Sequence, residues 1–242
     1  MAEDEIIKKH TKAVYDTLKA PGMNWKHKAR EILLEIVIIV FAVSISIWFH
    51  NWSERQKDGK EERGFLTSLK KDLQDDKTEM TADRAGFTQV LQGVNYFRKV
   101  GEGLPLSKDS LTKYRWAFFG SAQINPRIGG YEALKGSGRL DIIENRELLK
   151  NITDLYQKVF PQIILKNQRF NSLRETYVTP FVEDRLQLDD KGQGLNWQEI
   201  LRTSKMRMLM DQEAQLSDNI KAYGTGIDKI DEIMQEIDKE LK

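Results

Sequence analysis

The side chains that most often carry out chemistry in proteins are scarce in this chain. Its 242 residues include no cysteine and only three histidines, His10, His27 and His50. The lack of thiols excludes disulfides, iron–sulfur clusters, zinc–thiolate sites and cysteine nucleophiles. No histidine follows residue 50, so the usual general base for a serine or threonine nucleophile is missing from the rest of the chain. We therefore predict no catalytic residues and no enzymatic activity.

Other apparent motifs do not carry a site either. Carboxylates are plentiful, so composition does not exclude a carboxylate site for calcium or magnesium. However, the stretch Asp189–Gly194 has Lys191 and Gln193 where a calcium loop needs Asp or Asn, so we interpret it as a turn. The glycines of 136–138 and 224–226 lack a phosphate-binding pattern, and we expect them to end helices. The prediction is that no cofactor and no metal is bound.

The charge balance limits the class of partner. The chain has 38 basic and 37 acidic residues. A nucleic-acid-binding protein needs a basic surface that displaces counterions from phosphates. The near-zero net charge therefore predicts that nucleic acid is not a partner.

One apolar stretch predicts a transmembrane helix. The run from Ile32 to Phe49 contains one charged residue, Glu35, and is about 27 Å long as a helix, close to the thickness of a bilayer core. Tryptophans that suit the headgroup region flank it at Trp25, Trp48 and Trp52. A cleaved signal peptide would end in small residues and a buried helix would be amphipathic, and neither description fits. The lipid bilayer is thus a predicted partner, and the chain divides into a tail (1–30), a transmembrane helix (31–52) and a soluble domain (53–242).

Orientation rests on a small difference in positive charge. The two flanks of the span are nearly equal in Lys and Arg, and the lysines of the N-terminal tail favour a cytoplasmic N-terminus. We therefore predict a single-pass protein of the bacterial inner membrane with its C-terminal domain in the periplasm. The tail segment Glu5–Leu18 is expected either to form a basic amphipathic helix on the membrane surface or to be a solvated tail.

The rest of the chain predicts an all-α fold. Apolar residues recur at steps of three and four in three stretches, which predicts helices near 54–100, 146–178 and 197–241. Such spacing is typical of bundles and coiled coils, so we expect a bundle of long antiparallel helices. We expect Asn145 to cap the second helix and Pro161 to kink it, and a capping box at Asn196 to open the third. Asp76 and Asp83 are polar members of the first seam.

The first two long helices are joined by one long, irregular connection, 101–138, which we expect to hold short helices. It carries an aromatic cluster, Tyr114 to Phe119. Two interpretations are open: the aromatics cap the hydrophobic core, or the Tyr114–Tyr131 region forms a specific binding surface.

Two motifs together indicate a family. The first is an apolar helix that carries Glu35 and ends in Asn51-Trp52-Ser53-Glu54. The second, Tyr131–Asn145, reads YEALKGSGRLDIIEN. Across roughly residues 28–160 the chain resembles a bacteroidete family of single-pass membrane proteins classed as a domain of unknown function, although Ile47–Trp52 departs from the family's usual Gln-Ile-Asn-Asn-Trp-like ending. The resemblance implies a topology and no chemistry.

Partner contacts are the remaining candidates for function. Glu35, Ala42 and Ser46 share one face of the span, and a face with small and hydroxyl residues suits close helix–helix contact, although Glu35 could equally extend to the headgroups. In the soluble domain the candidates for partner or ligand contact are Arg127, Tyr131 and Arg139. We predict an interaction or accessory protein, a subunit of a homo- or hetero-oligomeric membrane complex. The alternative is an extracytoplasmic sensory or ligand-binding module.

Overall fold

Helices are the regular elements in the part of the chain that the structure describes. The computed structural model describes residues 11–12 and 25–242, and the side chains at 11–12 and from 29 onward except at 116. No strand occurs among these residues, and the predicted all-α fold is confirmed. The predicted tail helix at 5–18 lies almost wholly outside the described residues, as does the side chain of Trp25. The helices are α1 (Trp25–Gly101), α2 (Lys108–Tyr114), α3 (Gly129–Gly136), α4 (Arg146–Asp154), α5 (Phe160–Leu173), α6 (Thr179–Glu183), α7 (Trp197–Arg202), α8 (Ser204–Glu213) and α9 (Leu216–Glu240).

The chain divides into two units, Met1–Glu61 and Glu62–Lys242. In the first unit, α1 contains the one candidate membrane span found among the described residues. Its large apolar side chains, such as Phe41 and Trp48, are exposed within the chain's own fold. A helix that is apolar all round and has no protein cover suits a lipid environment.

The second unit is built on the seam predicted for α1. Apart from Val90, which is half-buried, its apolar members are almost completely buried: Leu66, Leu69, Leu73, Met80, Phe87, Val94 and Phe97. The seam residues up to Phe87 join a hydrophobic cluster with α4, α5 and α9. Those from Val94 onward join a second cluster with α6, α7 and α8. Burial of one face of α1 by the later helices is thus what holds this unit together.

The three long stretches do not all alternate in direction. Pairs such as Lys77–Asp231 (2.6 Å) and Arg98–Asp211 (2.9 Å) show that the last stretch runs antiparallel to α1. By contrast, the ring centroids of Phe87 and Phe170 lie 5.4 Å apart, and Glu62 accepts a hydrogen bond from the N–H of Glu144, so the second stretch runs parallel to α1. The long connection makes this possible, because it is long enough to return along the bundle.

The second stretch is one nearly continuous helical path with two wide turns. A π-helical turn, Leu155–Val159, precedes Pro161, and another, Arg174–Val178, precedes Pro180. A proline has no N–H to donate within the helix, and a wider turn accommodates that missing bond. The predicted disturbance at Pro161 is therefore a π turn. Each such turn adds a residue to the helical repeat, which explains why Val178 is buried while its neighbour Tyr177 is exposed.

The third stretch is three helices, where the sequence predicted one. Thr203 ends α7 and caps α8, because its Oγ1 accepts a hydrogen bond from the N–H of Met206 (3.2 Å). The predicted capping box at Asn196 is wrong, since the Asn196 side chain instead bonds the backbone of Arg185 and Gln187 in the preceding loop. Asn145 does cap α4 as predicted, by accepting from two backbone N–H groups.

The two glycine pairs behave differently. Gly138, with φ +73°, follows the end of α3 as predicted. Gly224 and Gly226, however, lie inside α9 and are buried, so the prediction that they end a helix is wrong. A Cβ at Gly226 would lie 2.5 Å from the Met80 side chain and 3.0 Å from that of Ile163. These glycines let α9 pack closely on its neighbours.

Candidate functional site

A groove of about 490 Å³ lies in the second unit, between α1 and the irregular connection. On α1 it is lined by residues at steps of three and four, which place them on one face of the helix. They are Asp83, Gly86, Phe87 and Val90. In the described part of the chain, no atom beyond the helix's own turn lies within 4 Å of the position of a Cβ at Gly86, so the groove is open above that residue.

The opposite wall comes from the connection. It includes Lys113, Tyr114 and the irregular segment from Gly120 to Gln123. One side chain of α5 holds this segment, because Asn171 accepts from the N–H of Ala122 (2.9 Å) and donates to its carbonyl (2.8 Å). The wall is therefore fixed by side chains and not by a neighbouring strand.

Arg174 is the main anchor of that wall. It lies in the second π turn and is buried, and its guanidinium donates to the carbonyls of Ala117 and Gly120 (2.6 Å for Gly120). Its Nε donates to Glu213 on α8 at 2.7 Å. Burial lowers the pKa of Arg174 and raises the pKa of Glu213, while the attraction between the two opposes both shifts. Among the described residues, none is a hydrogen-bond partner for the other, buried carboxylate oxygen of Glu213.

A series of hydrogen-bonded polar side chains crosses the core beneath the groove. Asn167 donates to the hydroxyl of Tyr223 (2.7 Å), and this hydroxyl donates to Asp83 (3.3 Å). Burial raises the pKa of Asp83, and the hydrogen bond from Tyr223 opposes the rise. Burial likewise raises the pKa of Tyr223 above its usual range, so the phenol stays protonated and can donate. The carboxylate at the groove is thus positioned from below by α5 and α9.

The floor of the groove is aromatic. The ring centroid of Phe87 lies 5.4 Å from those of both Phe170 and Tyr223. The Arg174 guanidinium carbon is 4.2 Å from the Phe170 centroid, and Lys113 Nζ is 5.0 Å from that of Tyr114. Aromatic surface with a few fixed polar groups is typical of sites that bind organic ligands or side chains.

The sequence-predicted residues of the soluble domain do not line this groove. The guanidinium of Arg127 donates to Asp76 at 2.7 Å, as does its backbone N–H (3.2 Å), and Asp76 is almost fully buried. The ring of Tyr131 stacks on Tyr156 at a 4.5 Å centroid distance inside the core. Arg139 is half-buried at the start of a 3₁₀ turn and does not line the groove in the described chain. Of the two polar members of the seam, Asp76 is a buried partner of Arg127, and Asp83 faces the groove.

The candidates in the first unit lie along α1. Glu35 is half-buried, and Ala42 and Ser46 are exposed. Trp48 and Trp52 are also exposed, which leaves their predicted role at the membrane interface open to experiment.

Sequence reasoning missed Asn167 and Arg174. Both occupy buried positions of one seam along α5 and into the π turn that follows it, which runs Phe160, Ile163, Asn167, Phe170, Arg174. A polar residue at a seam position was the available indication, as it was for Asp83. In the aromatic cluster, Phe118 is part of the core while Tyr114 lines the groove. No group of three or more His, Cys, Asp or Glu in the described part of the chain is placed to hold a metal ion.

Comparison with known proteins gives one match. A family of unknown function, DUF6090, matches residues 35–179, which cover most of the span and of α1 and the whole connection, and which end within the second stretch. No curated protein and no solved structure matches the chain.

Proposed function

Since the chain belongs to the family of unknown function DUF6090, we propose a role for it from its own groove: a membrane-anchored interaction protein that binds a partner between α1 and the connection. The observation that carries the proposal is this groove of about 490 Å³, whose lining combines aromatic side chains with Asp83 and Lys113. Its wall is held by the buried guanidinium of Arg174. A preformed site of this kind needs little ordering when a partner binds.

The chemistry of the lining supports binding and not catalysis. The groove offers one carboxylate, Asp83, and one exposed ammonium, Lys113, among aromatic, small and amide side chains. An acid–base pair for catalysis would need a second titratable group beside the first. Asp83 is instead hydrogen-bonded to the phenol of Tyr223, which stays protonated.

The proposal also covers how the chain is anchored in the membrane and how it assembles with another subunit. The span anchors the chain in a bacterial inner membrane, with the N-terminus in the cytoplasm and residues 53–242 in the periplasm, and the chain comes from a bacteroidete. The face of Glu35, Ala42 and Ser46 contacts another transmembrane helix, either of a second copy or of another subunit. Interhelical hydrogen bonds in membranes contribute about 0.6 kcal/mol on average. Glu35→Leu removes such a bond and Ala42→Leu adds bulk to the contact face, so each should reduce crosslinked oligomers in mild detergent without removing the protein from the membrane. Unchanged oligomers would restrict the span to anchoring.

The groove is tested by site-specific photocrosslinking of the full-length chain in native membranes. A photoreactive amino acid at Gln89, in the groove, should crosslink to a protein partner. The matched control is Gln74, which is the same residue type, exposed and on the same helix, and lies outside the groove. Gly86→Phe in the chain that carries the Gln89 probe should abolish the crosslink, because its side chain grows into the open groove. Equal crosslinking from Gln74, or a crosslink that Gly86→Phe leaves unchanged, contradicts the proposal.

A second candidate function, a sensory or ligand-binding module, is supported by the polar rim of the same groove. In that case the Gln89 probe gives no protein crosslink. Instead, a small-molecule extract should raise the thermal midpoint of the parent protein and not that of the Gly86→Phe variant.

A further inference from the structure

We infer that the partner's segment in this groove is a short extended peptide with a basic side chain at one end and an acidic group at the other. The inference rests on the proposed function and specifies what the groove recognises. Three observations support it: the length of the groove, the charges at its ends and the backbone that forms its wall.

Asp83 and Lys113, the two charged groups that select the peptide, lie at opposite ends of the groove. Along α1, Asp83 precedes Gly93 by ten residues, or about 15 Å of helix. Gly93 packs against the residue next to Lys113, since a Cβ at Gly93 would lie 3.1 Å from the Cβ of Tyr114. An extended chain rises about 3.3 Å per residue, so about four to five residues span this distance. The groove therefore fits a peptide whose charges are four residues apart.

Apolar surface separates the two charges. Phe87 and Val90 line the groove on α1 between the level of Asp83 and that of Gly93, and Ala122 faces them from the wall. A peptide with a basic residue at Asp83, an apolar residue over Phe87 and an acidic residue at Lys113 matches this order. Pairing of opposite charges in a partly buried groove favours this peptide over one with two like charges.

The wall offers a backbone edge. The segment 120–128 has no regular structure, and Asn171 binds both the N–H and the carbonyl of Ala122. Ser121 and Gln123, the residues on either side of Ala122, both line the groove, so the backbone of this segment reaches it. A peptide strand can pair with this edge, as in other complexes formed by strand addition.

The test is fluorescence anisotropy with the full-length protein in detergent micelles. Three labelled probes blocked at both ends are compared: Lys-Ala-Leu-Ala-Glu, Lys-Ala-Leu-Ala-Lys and Glu-Ala-Leu-Ala-Glu, with empty micelles as blank. The mixed-charge probe should bind at least about tenfold more tightly than either like-charge probe, an advantage expected from two charge contacts. Equal binding of all three, or binding of none up to millimolar protein, overturns the inference.

Two variants assign the ends. Asp83→Asn should remove the preference for the mixed probe over the one with two glutamates, and Lys113→Gln should remove its preference over the one with two lysines. The matched controls, Asp228→Asn and Lys99→Gln, change exposed residues outside the groove and should retain both preferences. If neither groove variant alters a preference, the charges do not select the peptide. If crosslinking at Gln89 succeeds and these preferences are absent, this inference alone fails, whereas absence of the crosslink removes the proposed function as well.

Discussion

Substitution of Glu213 by Gln provides a direct test of how the groove wall is held. Arg174 and Glu213 have side chains 2% and 0% exposed, and Nε and the carboxylate oxygen are 2.7 Å apart. Gln keeps the shape of the side chain and an oxygen that can accept from Nε. It removes the negative charge and leaves the guanidinium buried without compensation. Removal of one partner of a buried ion pair costs about 3–5 kcal/mol, and the retained hydrogen bond places Glu213→Gln near the lower limit, about 3 kcal/mol.

Such a loss is large for a domain whose total stability is about 5–15 kcal/mol. We expect a clear fall in the urea midpoint of the full-length chain in micelles, followed by far-ultraviolet circular dichroism. The control is Glu175→Gln, the same change on an exposed residue of the same π turn, which should alter the stability by less than about 0.5 kcal/mol. A loss below about 1 kcal/mol for Glu213→Gln would refute the argument, because it would mean that Glu213 is already neutral in the folded protein.

A double-mutant cycle separates the ion pair from packing. Arg174→Met should destabilise at least as much as Glu213→Gln, because it also leaves the carbonyls of Ala117 and Gly120 without their donor, at about 1–3 kcal/mol for each buried group. The double variant Arg174→Met with Glu213→Leu leaves no buried charge. Its destabilisation should be smaller than the sum of those of Arg174→Met and Glu213→Leu by about 3 kcal/mol. Additive losses would mean that the two side chains do not interact.

Three further predictions concern packing, pH and topology. Gly93→Ala should destabilise the folded domain by about 1–2 kcal/mol, since the added methyl lies 3.1 Å from the Cβ of Ala117. Gly64→Ala should instead stabilise α1 by about 0.5–1 kcal/mol, because no described atom beyond the helix's own turn lies within 4 Å of the added methyl. Thermal unfolding of both variants checks this pair of predictions. Burial raises the pKa of Asp83, so the folded state of the parent is more stable at low pH and loses that stability as pH rises through this pKa. The stability of Asp83→Asn relative to the parent should therefore increase from pH 4 to pH 7. A difference in urea midpoint that stays constant over this range would contradict the prediction. A reporter active only in the periplasm, fused after residue 242, should be active; activity of a cytoplasmic reporter there would reverse the orientation.

Much of the architecture can be predicted from local pattern. The apolar span, the all-α class and the buried seam of α1 follow from hydrophobic periodicity, which is a property of neighbouring residues. The cap at Asn145 and the turn at Asp189–Gly194 also depend on nearby groups, since the Asp189 carboxylate accepts from the N–H groups of Lys191 and Gln193. These elements needed no knowledge of distant contacts.

The tertiary structure alone determines the groove and the residues that hold it. Two π turns shift the helical register in the second stretch, so the buried face passes from Phe170 through Arg174 to Val178 and not to Tyr177. Arg174 can be buried only because Glu213, 39 residues away, and the carbonyls of the connection surround its guanidinium. A buried charge is stable only when distant segments supply its partners. Periodicity within one segment carries no information about such partners. The sequence therefore predicted contact residues at Arg127 and Tyr131, whereas the groove is lined by Asp83, Lys113 and Arg174.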